Sequence, residues 1–150
     1  RRQRQMCIRD SSNPNHPFVL WIYGRILLRY GNLESGIKIL EQLYEREPIP
    51  MSDINADRMN RELFLAYYLD KDYKKCEETF NKINECTFRE WLINIDIKIK
   101  QNKDYAQDNW FVSGIERFNN LDKEKEISLF HLNNKFISNE LKNLSQKVFA

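Results

Sequence analysis

The chain has 150 residues, 41% of them hydrophobic and 31% charged, which suits one globular domain with a core of its own. A net charge of +2 speaks against a dominant nucleic-acid or membrane surface, and no apolar run reaches membrane length. Four glycines and four prolines are few, so a mostly helical chain with few turns is expected.

The charge is uneven: residues 1–33 hold six arginines against one acid, Asp10. The first seven residues, RRQRQMC, open without Met and without a secretory signal, as in a processed form or a piece of a longer protein. Cys7, Cys76 and Cys86 form no CxxC and pair with no histidine spacing. That points away from metal binding and toward a reduced, intracellular compartment, with cytoplasm, nucleus and mitochondrion all open.

Residues 1–14 are polar, basic and aperiodic, and are expected to be an arm or linker. Residues 15–150 are expected to form one helical-repeat domain. Pro17 suits a first helical turn, and Leu20, Tyr23, Gly24 and Leu27 follow at helical spacing. Gly31 stops this helix and Asn32 caps the next, whose face is Leu33, Gly36, Ile37, Leu40, Leu43 and Tyr44 before Pro48. Together they read as a helical hairpin.

The pattern recurs with Asp72 and Asp104 as caps, after 40 and then 32 residues. Four residues past each cap stand Gly36, Cys76 and Asp108, two of the three small. Eight past stand Leu40, Phe80 and Val112, and eleven past stand Leu43, Ile83 and Ile115. A period in this range is the mark of a solenoid. INIDIKIK (93–100) alternates as a strand does, yet the capping box from Thr87 to Glu90 leads into it, and the spacing predicts a helix.

In the last segment, Ile127, Phe130, Asn134, Ile137, Leu141, Leu144 and Val148 fall on alternating three- and four-residue steps. One helix over about 122–148 would carry them as a three-heptad seam with a single polar position. Leu129, Leu132 and Phe136 widen the face, which suits a helix capping the last hairpin; pairing with another chain is the alternative. Asp122 is its expected cap.

Pro17 to Pro48 resembles a tetratricopeptide repeat: a large apolar residue (Leu20 or Trp21), the large–small pair Tyr23–Gly24, Leu27, the turn glycine Gly31, the small Gly36, then Leu40, Leu43 and a closing Pro48. Residues 17–118 carry the likeness, with residues 49–57 an insertion or an extended first turn and Ala66 two positions from where a small residue is due. The resemblance implies an all-α fold of about three stacked antiparallel helical hairpins, an α-solenoid, with a C-terminal capping helix. It places Gly24 and Gly36 where the two helices of a hairpin cross, and Phe18, Trp21, Arg25, Leu28 and Arg29 on the groove that holds a partner peptide or helix. The family's carboxylate clamp needs Lys and Asn where Trp21 and Arg25 stand, so a chaperone tail is not the implied partner.

The expected function is therefore a non-catalytic protein-interaction scaffold, a subunit of a larger assembly. The alternative is an RNA-binding helical repeat using the basic N-terminal region. The stretch NLESGIKILEQLYEREPIP resembles a pentatricopeptide repeat, but the base-reading positions of that family fall on Trp21, Arg61 and Ile93, with Met51 and Trp91 nearest the second set. His16 and His131 sit in unrelated settings, no carboxylate pair lies in an apolar frame and no glycine-rich phosphate loop occurs. No catalytic residue, metal, cofactor, membrane or small-molecule substrate is expected.

Overall fold

The computed structural model describes residues 17–45 and 53–150; among them are eight helices and no strand. The basic arm, His16, Cys7, Pro48 and Met51 lie outside the described residues. Helix α1 spans Pro17–Tyr30, α2 Leu33–Tyr44, α3 Asp53–Leu69, α4 Tyr73–Phe80, α5 Phe88–Lys100, α6 Asn109–Phe118, α7 Lys123–Ser128 and α8 Lys135–Val148. From α1 to α6 each helix packs on the next; α5 also meets α3, α7 and α8.

Local chemistry sets most of these boundaries. Asn32 accepts a hydrogen bond from the Ser35 N–H at 3.2 Å, and Asp72 accepts one from Lys75 at 3.3 Å, each satisfying a free donor of the first turn. Asp122 does the same for Lys125 at 3.3 Å. At α5 the Thr87 N–H donates to Glu90 at 2.9 Å within a capping box. That cap makes INIDIKIK a helix. Its residues Trp91 to Ile97 are all buried, so the apparent alternation comes from a helix enclosed on every side, with Asn94 and Asp96 among the apolar groups. Ile99, near the end of the run, is exposed.

Glycine sets two close crossings. A Cβ on Gly36 would stand 3.1 Å from both the Gly24 carbonyl oxygen and the Leu28 nitrogen, and one on Gly24 would meet Leu40 Cδ2 at 2.9 Å. Forty residues on, the Cys76 thiol takes the place of Gly36 and donates to the Phe64 carbonyl at 3.7 Å. Phe64 is the residue that the cap-to-cap spacing aligns with Gly24. The third crossing differs: Gly114 of α6 lies under the Trp91 indole, whose Nε1 donates to the Trp110 carbonyl at 3.1 Å.

Five expectations are corrected. Helix α6 begins after Asp108, not Asp104, because the chain leaves α5 through Asn102 at φ 54° and turns until residue 108. Gly31 does not supply a left-handed turn: no described glycine has positive φ, whereas Lys71 does, at 61°. The single C-terminal helix is two, parted at residues 129–134 where His131, expected in a helix, adopts φ 55°. Asn134 is the N-cap of α8, accepting from the Ile137 N–H at 3.2 Å, and so leaves the seam without its polar position. The buried stripe of α1 is Trp21, Gly24 and Leu28, rotated by about 100° around the helix from Leu20, Tyr23 and Leu27.

Candidate partner-binding faces

Helix α1 separates the five residues expected on the groove. Trp21 is 8% exposed and Leu28 6%, both part of the core. Arg29 is committed inside the molecule: its guanidinium donates to both carboxylate oxygens of Glu62 on α3, at 3.1 and 3.0 Å. Arg25 lies over the Trp21 ring at 5.3 Å and 3.6 Å from Glu62, with its side chain 41% exposed against 12% for Arg29. Phe18 stands 64% exposed.

Three leading helices, α1, α3 and α5, are joined by polar pairs. Glu62 meets Arg29 and Arg25 from α1 and Arg89 from α5, the last at 3.9 Å. Burial alone would raise the Glu62 carboxyl, but the Arg29 hydrogen bonds and the charges of Arg89, Arg29 and Arg25 hold it below the usual carboxylate range. Arg61 of α3 pairs with Asp57 at 2.9 Å and approaches Glu90 of α5 at 3.8 Å. Further along, the Tyr68 hydroxyl of α3 donates to Asp96 of α5 at 2.6 Å. Burial and that bond push the phenol up, and Lys100 joins Asp96 to Glu140 of α8 at 2.8 and 3.6 Å.

Helix α8 thus lies along α5, with Phe149 at its far end against Phe88 and Trp91. Its N-terminal end closes a cleft of about 230 Å³ with Leu28, Leu33, Leu65 and Leu69, and Ile137 and Leu132 form the other wall.

A second face was not foreseen from sequence. Ile22, Tyr23, Ile26 and Tyr30 join Phe18 on the outer side of α1, between 37% and 70% exposed. At ~100° per residue the five fall within about 140° of arc. The signal was present in the composition: Arg25 and Arg29 are the only charged residues of the helix. A helix apolar all round belongs in an interior, and contiguous apolar surface of this kind marks an interaction site.

Burial, aided by Asp72 and Glu77, pushes the Cys76 thiol up to about 12, and burial raises Cys86 as well. Both are free thiols. Among the described residues no group of three His, Cys, Asp or Glu side chains could hold a metal ion, and no helix is long and apolar enough to cross a membrane. Of the positions that would read RNA bases, Trp91 and Ile93 are core and Arg61 is paired. Comparison with protein-family models, with curated proteins and with solved structures finds no match to this chain.

Proposed function

We propose that this chain is a non-catalytic helical-repeat scaffold, tetratricopeptide-like in its hairpins and capped by α8, that holds a partner peptide or helix within a larger assembly. The observation that carries the reading is α1: a helix built for an interior, with one side against α2 and α3 and the other side open. The recurrence of one crossing contact, Gly36 on the Gly24 carbonyl and Cys76 on the Phe64 carbonyl, supports the repeat. Phe18 and Arg25 are the groove candidates left accessible to a partner; Trp21, Leu28 and Arg29 serve by shaping α1.

Of the six arginines on which the RNA alternative rests, Arg29 is paired with Glu62 inside the molecule, Arg25 lies 3.6 Å from Glu62 with its side chain 41% exposed, and the other four lie outside the described residues. The test is capture from a lysate on the immobilised chain, with and without ribonuclease. The scaffold reading expects retained protein that survives ribonuclease and moderate salt. Retention of RNA, lost steeply as salt rises, would overturn it.

A further inference from the structure

The faces of α3 and α5 show what is missing from α1. Helices α3 and α5 end alike: Lys71 and Asn102 take positive φ, and the Asp72 and Lys103 N–H groups reach back to the Tyr67 and Lys98 carbonyls, both at 2.9 Å. The two helices therefore align 31 residues apart, and the shared crossing contact aligns α1 with α3 40 residues apart.

On this register Ile22, Tyr23 and Ile26 correspond to Glu62, Leu63 and Ala66, and to Ile93, Asn94 and Ile97. All six counterparts are buried. In α3 they lie beneath the preceding pair: Glu62 takes Arg29 from α1, and beside Ala66 the counterpart of Leu27, Tyr67, donates to Glu41 of α2 at 2.9 Å. In α5, Asn94 shares a cleft with Glu77 and Phe80 of α4, and Lys98 donates to Glu77 at 3.0 Å. At each internal junction a preceding amphipathic helix covers the face and brings a glutamate to it.

Among the described residues, neither the last trailing helix nor a second copy of α1 suits the open face. The outer side of α6, the last trailing helix of this register, exposes Val112 among Ser113, Glu116 and Arg117, a polar end. A second α1 would bring two more arginines to a seam whose only charges are Arg25 and Arg29. The Arg25 Nε is buried 3.6 Å from Glu62 without a hydrogen bond, but its side chain is 41% exposed against 12% for Arg29, so Arg25 is the cation of α1 that a neighbour can reach.

Resting on the scaffold reading, we propose that the outer face of α1 docks an amphipathic helix of a partner protein. Its apolar side would cover Ile22, Tyr23 and Ile26, and an acidic residue at its edge would meet Arg25. The partner helix takes the place on α1 that α2 takes on α3 and α4 on α5.

The experiment uses two covalently constrained helical peptides with the same Leu/Ile face, one edged with Glu and one with Lys, titrated into the 150-residue chain by fluorescence anisotropy. The Glu-edged peptide is expected to bind about tenfold more tightly. Arg25→Gln should erase that preference. Ile26→Asp should abolish binding with the thermal midpoint unchanged. Equal binding of the two peptides, or none, overturns the proposal. So does binding that survives Ile26→Asp, which would place a helix-binding surface elsewhere and leave the scaffold reading standing. Sedimentation supplies the last outcome: self-association of the wild type that Ile26→Asp removes would assign the face to a second copy and overturn the partner helix.

Discussion

Helix α1 carries two charged residues in fourteen and α5 five in thirteen, yet it is α5 that the molecule encloses. In α5, two polar residues sit among Trp91 to Ile97, yet every one of these side chains is buried, because α3, α4, α6, α7 and α8 surround the helix. In α1 two arginines stand among twelve uncharged residues, yet five large apolar side chains remain open to solvent. Composition says that a helix is suited to an interior; the number of its neighbours says whether it has reached one. Burying an apolar side chain of this size is worth about 1.5–3 kcal/mol, so the open side of α1 is unused driving force.

The sharpest break of this comparison is at the enclosed end. A methyl on Gly114 would overlap the Trp91 indole. That ring is fully buried between Phe88, Phe111, Phe118 and Phe149 and has nowhere to move. Gly114→Ala is expected to cost about 3 kcal/mol or more, at the top of the range for overpacking, and to be visible in urea melts. A variant as stable as wild type would mean that α5 is less enclosed than its burial states.

Glu62 joins the open end to the enclosed one, because it meets arginines from both α1 and α5. Glu62→Gln leaves Arg29 without its carboxylate in a site where its side chain is 12% exposed, at an expected cost of about 3 kcal/mol. The same group sets an acid dependence. Its folded-state pKa lies below the ordinary 4.5, so between the two values the unfolded chain binds more protons than the folded one. Its contribution is therefore full above about pH 4.5 and is lost as pH falls through the folded value. Melts of wild type and Glu62→Gln from pH 7 to pH 3 should converge toward the acid end. Parallel curves would show that the pair contributes no pH-dependent stability. Reversal of both α1 arginines to Glu, harmless if they faced solvent, is expected to lower the thermal midpoint, since it sets three carboxylates together.

How far the fold was legible follows the same contrast. Boundaries set by local chemistry were readable: Asn32, Asp72 and Asp122 as caps, and Thr87–Glu90 as a capping box strong enough to outweigh a strand-like alternation. Asp104 misled because Asp104–Tyr105 repeats Asp72–Tyr73 in sequence, while the left-handed Asn102 delays the next helix to Asn109. Asn134 misled because an asparagine at a seam and one at a helix start are the same letter; only the fold of 129–134 makes it a cap. The phase of α1 was unreadable for a different reason. A helix apolar on nearly every side has no polar stripe to orient it, so Tyr23 and Trp21 looked equally fit to be buried. The groove set came from the tetratricopeptide resemblance, and of the open face it included Phe18 but not Ile22, Tyr23, Ile26 or Tyr30.

The smallest effect is the finest test, and it belongs to the open end. Gly31 and Gly36 lie five residues apart, and the tetratricopeptide pattern assigns both a structural need. Only one shows it. Gly31 has no positive φ, and a Cβ there would meet the end of the Leu27 side chain at 3.2 Å, which can give way at an exposed position. Gly31→Ala is therefore expected to change stability by less than about 0.5 kcal/mol, or to gain slightly from the stiffer unfolded chain. A Cβ on Gly36 would press on backbone, 3.1 Å from the Gly24 oxygen, and backbone inside a helix cannot step aside without moving α1. Gly36→Ala should then cost about 1–2 kcal/mol even though alanine is the better helix former. With α1 open on its outer side, however, the whole helix can shift outward by a few tenths of an ångström, a freedom that α5 lacks. The penalty at Gly36 should accordingly stay below that at Gly114. Measured side by side in urea, equal penalties would show that α1 is held as tightly as α5, and a stabilising Gly36→Ala would show that the crossing has room for a methyl group.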